Sequence, residues 1–277
     1  MQNAADRLCA AGADRPLFEA QLLLAHAMHV SRGEIIAGWP PQPGEDETTE
    51  WLKLVDQRAS RVPIAYLLGY REFHGRRISV TPDVLVPRPE TELLVERTLS
   101  LIQHRAGAIV IDVCTGSGCV AASIAKECAD CWVCASDISL ASLRVAAANA
   151  RNIAARSPIS LAAANLLSAF ASGCADVITA NPPYIPTAAI ASLEPEVRDY
   201  EPRLAVDGGE DGLMFIRPLT HEAMRVLRPG GTLLLEVGQH QAGVVMELLG
   251  KAGCTDVMIH EDLARIPRMI EAVKPHE

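Results

Sequence analysis

An apolar run, Val177–Ala180, delivers the chain into Asn181, Pro182, Pro183 and Tyr184. These four residue types in this order can hold a flat nitrogen group. The Asn181 side-chain oxygen and the Pro182 carbonyl can each accept one N–H of an NH2. Two consecutive prolines fix φ and remove competing N–H donors. The ring of Tyr184 offers its face to a planar amide or amine and to any positive charge that develops there. An amide nitrogen is a poor nucleophile because its lone pair is delocalised into the carbonyl. Aiming that nitrogen is therefore most of what such a site must do, and orientation can supply roughly 7–11 kcal/mol of a barrier. The plainer alternative is a strand running into a proline-stiffened turn.

Other strand ends bear on the choice. One strand ends at Asp112 and runs into Val113-Cys114-Thr115-Gly116-Ser117-Gly118 before a helix. Gly116 and Gly118 permit a tight turn and close backbone approach to a ligand, and with Ala121 they match dinucleotide-loop spacing. A simple tight turn would read the same. The next strand ends at Asp137, whose carboxylate can take both hydroxyls of a ribose or else cap the following helix. The ribose reading suits a nicotinamide dinucleotide and S-adenosylmethionine equally. A third strand ends at Asn165 and Leu166, where an adenine could be flanked. If the first and fourth strands are neighbours, Asn181 lies opposite the glycine loop and joins it in facing the cofactor. A nicotinamide enzyme has no use for Asn-Pro-Pro-Tyr at that point. A transferase that aims a nitrogen in line with a sulfonium S–CH3 bond does. It needs no strong base, because the proton becomes acidic once the methyl has moved.

The elements that must position these residues fall into two regimes. The 277-residue chain, 49% apolar and 21% charged, is long enough for one large domain or two smaller ones. Its first part reads as helical. Leu17, Ala20, Leu23, Leu24 and Met28 share one face, and "TTEWLKLVDQRASR" forms a second helix with Thr48 or Thr49 as N-cap. "GWPPQPGEDE" between them reads as a loop. "RRISVTPDVLVP" alternates like a β-hairpin, and "RPETELLVERTLSLIQ" opens a helix. Then short apolar runs, "AIVID", "WVCASD", "ISLAAA", "ADVITA", "TLLLEV", "DVMIH" and "MIEAV", alternate with helical stretches. That pattern predicts an α/β fold with a mostly parallel sheet and ligands at the carboxyl ends of its strands.

Composition excludes some functions. A net charge of −9 argues against broad nucleic-acid binding, which needs a basic surface. No basic segment followed by an apolar one opens the chain, and the longest uncharged stretch, Ser157–Ala175, is broken by Pro158, Asn165 and Gly173. A cytoplasmic protein with no membrane span is expected. Its eight cysteines are expected to be reduced. Cys128, Cys131 and Cys134 lack the fourth ligand of an iron–sulfur site, so no metal is expected. His74, His221, His240 and His260 stand alone and read as surface or capping residues.

Taken together, "DVCTGSG", Asp137 and "NPPY" resemble the class I S-adenosylmethionine-dependent methyltransferases that act on amino groups. "PIAYLLGYREFHG", "VLVPRPETELLVE", "YEPRLAVDGGEDGL", "GGTLLLEVGQHQ" and "EDLARIPRMIEAV" narrow this to a resemblance to the HemK/PrmC family of release factor glutamine-N5 methyltransferases. "VPRPETE" favours these over relatives that modify a ribosomal protein. The resemblance covers nearly the whole chain, most loosely at its helical start.

It implies a Rossmann-like class I methyltransferase sheet, a small N-terminal helical domain and a β-hairpin linker. The expected bounds are 1–74 for a helical domain that docks the substrate, 75–90 for the linker and 91–277 for the methyltransferase domain. S-adenosylmethionine is the implied cofactor and S-adenosylhomocysteine its product. The implied substrate is the glutamine of the GGQ motif in class-1 peptide chain release factors, met by a monomeric enzyme that does not bind nucleic acid directly. Asn181, Pro182 and Tyr184 are the implied catalytic residues, with Pro183 added for substrate binding. Asp112, Cys114, Thr115, Gly116, Ser117, Gly118, Asp137, Asn165, Leu166 and Asn181 would line the cofactor. The "PRPETE" segment, with Arg88, Glu90 and Glu92, is implied beside the site in a structural or gating role. Two residues depart from the family pattern: Cys114 replaces a usual glycine and Asn165 a usual aspartate. Both are expected to bear on cofactor affinity. Adenine-N6 methylation of DNA is the competing function, since "NPPY" is shared with that class.

Overall fold

A computed structural model describes residues 1–38, 42–153 and 155–276. The chain divides into two units, Met1–Tyr70 with Leu193–Tyr200, and Arg71–Ser192 with Glu201–Glu277. Leu193–Tyr200, which the sequence reading placed inside the third part, packs with the first.

The first unit is helical: α1 (Gln2–Ala10), α2 (Pro16–Ala27), α3 (Arg32–Ala37), α4 (Glu45–Ala59) and α5 (Ile64–Leu68). Leu8, Leu23, Trp51, Leu54 and Val55 form its core, with Trp51 Nε1–H donating to the Ala20 carbonyl at 3.1 Å. Two expectations change here. Leu17 is exposed, and Glu19 turns inward instead to accept from Arg58 Nε at 2.6 Å. α4 begins at Glu45 after Gly44, not at Thr48 or Thr49, because Glu45, Asp46 and Glu47 form its first turn. Acidic residues are favoured there by the helix dipole. The loop expected before α4 therefore ends at Gly44; its Trp39, Pro40 and Pro41 lie outside the described residues.

The second unit opens with a hairpin, β1 (Tyr70–Phe73) and β2 (Arg76–Ser79). β2 opens the stretch 76–87 expected to form the hairpin, but its partner β1 lies before that stretch, and residues 80–88 form no further strand. After a 3-10 turn at Pro89–Thr91 come α6 (Glu92–Ile102), β3 (Ala108–Val113), α7 (Cys119–Glu127), β4 (Cys131–Asp137), α8 (Leu140–Asn152), β5 (Ile159–Ala163) and β6 (Ala175–Ala180). The chain continues through α9 (Pro195–Tyr200, in the first unit) to α10 (Ile216–Val226), β7 (Leu227–Glu236), α11 (Ala242–Lys251), β8 (Thr255–Glu261) and β9 (Pro267–Val273).

Among the described residues the sheet has seven strands in the order β5-β4-β3-β6-β7-β9-β8. The pairs from β5 to β7 are parallel, and β9 is antiparallel to both β7 and β8. One apolar cluster covers each face, Ile178, Ile216 and Leu235 on one and Val110, Ile124 and Leu234 on the other. β6 is buried along its whole length, which is why it reads as a mostly apolar run, with only Asp176 and Thr179 polar. Strand order reverses between β3 and β6, so the loops after them splay apart and leave a crevice at their carboxyl ends. Two of the histidines expected to stand alone have side-chain partners: His260 Nε2 lies 2.8 Å from the buried carboxylate of Glu271, and His74 Nδ1 lies 2.9 Å from Arg76 Nη1.

Candidate active site

Beyond β3 the backbone turns left-handed three times, with φ of 56° at Cys114, 54° at Gly116 and 76° at Gly118. A Cβ on Gly118 would sit 3.0 Å from Ala146 Cβ, so glycine there lets α7 pack against α8. Cys114 takes a positive φ that a glycine would adopt freely, at a cost on the order of 1 kcal/mol. Packing of its side chain against the sheet core offsets part of this. Burial pushes the Cys114 thiol up, as do Asp137 and Asp112, so it stays protonated at neutral pH.

Two carboxylates hold this loop. Asp112, buried at the end of β3, accepts from the Thr115 hydroxyl at 2.6 Å and from the Thr179 hydroxyl of β6 at 2.9 Å. Burial raises it to about 6 against those hydrogen bonds. Asp137 accepts the Gly116 N–H and the Ser139 N–H, each at 2.9 Å. The cap of α8 is Ser139, whose hydroxyl accepts from Ser142 N–H at 3.2 Å. Asp137 is thus free of the capping role, and each of its oxygens keeps a lone pair for a ligand hydroxyl. Asn165 is exposed and Leu166 buried with φ of 49°.

Across the crevice, Asn181 follows β6 directly. Its Nδ2 donates to the Thr91 hydroxyl oxygen at 3.2 Å; that hydroxyl donates to Glu236 Oε2 at 2.7 Å, and the Tyr184 hydroxyl donates to Glu236 Oε1 at 3.3 Å. Tyr184 packs against the sheet core, and burial raises its hydroxyl. Thr91 and Glu236 went unnoticed in the sequence. Thr91 sits inside the quoted "PRPETE", and Glu236 is an ionisable residue closing an apolar strand beside β6, which is the signal that could have exposed it.

The loop is clamped from behind. Gln241 donates to the carbonyls of Tyr184 (2.9 Å) and Gly212 (3.2 Å) and accepts from Gly238 N–H (2.9 Å). Residues 206–209 run alongside: Ile185 N–H donates to Val206, Gly208 N–H to Ile185 and Thr187 N–H to Gly209. A Cβ on Gly208 would lie 2.8 Å from both the Pro183 carbonyl oxygen and Tyr184 Cα. Gly208→Ala should therefore displace this loop and lower turnover roughly 100-fold while the far-ultraviolet circular dichroism stays unchanged. Turnover equal to the parent protein would show that the contact is inconsequential.

The intervening cleft encloses about 1050 Å³, open solvent at its mouth included. Thr115, Gly116, Ser117, Asp137 and Leu166 form one side, Asn181 and Pro183 the other; Pro182 and Tyr184 are not on its wall. The segment after β2 adds Asp83, Val84 and Leu85. Asn149 of α8 holds that segment to the loop, exchanging two hydrogen bonds with Ser79 and donating to the Ser117 carbonyl at 2.8 Å. Arg88 lines the cleft and pairs with the buried Glu201 at 2.7 Å, while Glu92 accepts from His74 N–H. A hydroxyl-accepting carboxylate, an open glycine turn and apolar walls suit a nucleoside-bearing ligand. Among the described residues no group of three or more His, Cys, Asp or Glu is placed to hold a metal.

A crevice of this build on a seven-stranded sheet ending in an antiparallel strand pair defines a methyltransferase. The family models agree: a methyltransferase small domain matches residues 89–193 and a PrmC N-terminal domain matches residues 1–69. Solved structures share the fold. They include a methyltransferase from Pyrococcus furiosus (21% identical, 79% of this chain and 99% of that one, TM-score 0.56). The hMettl16 catalytic domain with MAT2A 3′UTR hairpin 6 is another (16% identical, 80% and 82%, TM-score 0.60). Curated relatives are named release factor glutamine methyltransferase. That of Caulobacter vibrioides is 36% identical over 98% of this chain and 94% of its own, and that of Burkholderia pseudomallei is 41% identical over 90% and 89%. The chain belongs to the release factor glutamine methyltransferase family.

Proposed function

We propose that the enzyme methylates the side-chain N5 of the glutamine in the GGQ motif of class-1 peptide chain release factors, using S-adenosylmethionine and leaving S-adenosylhomocysteine. The observation that carries this is Asn181 at the cleft wall, its NH2 committed to Thr91 and its Oδ1 left for a substrate N–H. S-adenosylmethionine, when bound, supplies an electrophilic methyl group. Asp137 would take its ribose hydroxyls, Gly116 and Ser117 would border its amino-acid end, and Leu166 with Asn165 would flank its adenine.

We assign the two N–H groups of the glutamine amide to Asn181 Oδ1, on the cleft wall, and to the carbonyl of the next residue, Pro182, set back from that wall. That aims the nitrogen and favours the positive charge growing on it. Pro182 and Pro183 keep those acceptors fixed, and Tyr184, held by Glu236 and Gln241, anchors the loop that carries them. No basic side chain is required, because the methylated nitrogen sheds its proton readily. The helical unit, Met1–Tyr70 with Leu193–Tyr200, is the part we assign to docking the release factor.

Incubation with labelled S-adenosylmethionine and purified release factor should place label on the GGQ glutamine. Absence of label beside an active control enzyme would overturn the reading. Label on duplex oligonucleotides instead would move it to adenine-N6 methylation, against which the net charge of −9 stands.

A further inference from the structure

We propose that Glu236 is a positioning residue which, through Thr91, decides whether Asn181 turns its carbonyl oxygen or its NH2 towards the substrate. The inference rests on the methyl-transfer reading above and deepens it.

A threonine hydroxyl has one proton. Thr91 spends it on Glu236 Oε2 at 2.7 Å, so towards Asn181, at 3.2 Å, its oxygen can only accept. Asn181 must then present Nδ2 to Thr91, and Oδ1 is left for the substrate amide. Among the described residues no other hydrogen bond fixes the Asn181 side chain. Were the Thr91 proton turned the other way, Asn181 would rotate and set an NH2 against the substrate's own NH2. Two donors facing each other hold nothing. Glu236 thus chooses between a site that grips an amide and one that repels it, without touching the substrate.

The carboxylate is suited to this. It is 3% exposed, and both oxygens receive protons, one from Thr91 and one from Tyr184. The groups facing it are Glu90 from the turn that carries Thr91, Arg268 from β9, Tyr184 from the loop after β6 and the Cys119 thiol from α7. Met269, its partner across the sheet, is apolar. Burial dominates and brings Glu236 to about 7, with Glu90 acting in the same direction and Thr91, Tyr184 and Arg268 opposing. Once protonated on Oε2, Glu236 becomes a donor to Thr91 and the relay reverses. The competent form is the charged one, so activity belongs above this pKa and is lost as pH falls through it.

The test uses the full-length enzyme with release factor at saturating S-adenosylmethionine. The parent kcat should fall as pH drops through about 7. Glu236→Gln should be slower at pH 8 and flat across that range. Thr91→Val should lose roughly 10- to 100-fold in kcat with KM values nearly unchanged. Thr91→Ser, which keeps the hydroxyl, should recover to within about threefold of the parent. Parent-like kcat in Thr91→Val, failure of Thr91→Ser to recover, or a surviving acid limb in Glu236→Gln would each overturn the relay. A second readout needs no turnover. The Asn181 side-chain NH2 signals in a nitrogen-15 spectrum should titrate near pH 7 in the parent and not in Glu236→Gln. If the parent fails to methylate release factor but those signals titrate, the relay stands and the substrate assignment falls; signals that do not titrate overturn the relay.

Discussion

Asn181→Ala is expected to lower kcat for glutamine methylation by about 100- to 1,000-fold, with S-adenosylmethionine affinity kept within about threefold. The size follows from what is lost. Two acceptors aim the substrate amide, and alanine removes the one on a side chain, leaving the Pro182 carbonyl. One contact lets the nitrogen swing about the remaining hydrogen bond, away from the in-line path, and leaves half of its growing charge unanswered. Loss of one preorganised partner of developing charge is worth about 2.7–4 kcal/mol in comparable sites. The fold should survive: Asn181 lies beyond β6, is only half-buried, and gives up a single hydrogen bond, to Thr91. Single-turnover rates and calorimetric titration with S-adenosylmethionine separate the two effects. Full activity would refute the role given to Asn181.

Asp137→Ala should have the opposite profile, weakening S-adenosylmethionine binding at least about 100-fold, or close to 3 kcal/mol. Hydrogen bonds to a charged acceptor are worth about 1.5–3 kcal/mol each, and two ribose hydroxyls would be stranded. The substitution also frees Gly116 N–H, so the left-handed turn at Gly116 loses its tie to β4. Asp137→Asn, which keeps one accepting oxygen, should fall between alanine and the parent. Calorimetry decides it, and an unchanged dissociation constant for the alanine variant would show that the carboxylate faces no ribose.

Much of this site is legible in the chain because strands in a parallel sheet are short apolar runs that end where polar residues begin. Asp112, Asp137 and Asn181 announce themselves as strand ends, and the cleft brings them to facing walls. The relay is not legible. Thr91, Asn181 and Glu236 stand 90 and 55 positions apart, and only the placing of β6 beside β7 makes them neighbours. The hairpin's partner strand lies before the expected stretch for a related reason. Residues 80–88 alternate like a strand, yet they lie between the cleft and the domain core and are in no strand of the sheet. Alternation reports which faces are buried and is silent about what buries them. Glu19 shows the same limit in the helical unit: its inward turn depends on Arg58, a residue of another helix.

The helical unit is closed by a segment encoded far downstream. Arg61 pairs with Glu196, 135 residues further along, and the buried Arg58 takes the same carboxylate at 2.8 Å. During synthesis, α1–α5 leave the ribosome well before α9 exists, an interval on the order of 10 s at ordinary elongation rates. Through that interval Arg58 has Glu19 as its carboxylate partner without Glu196, and the bundle waits in an incomplete form. A fragment ending at Tyr70 would remain in that state permanently. Helices α1–α5 are thus made before α9 and finished only with it.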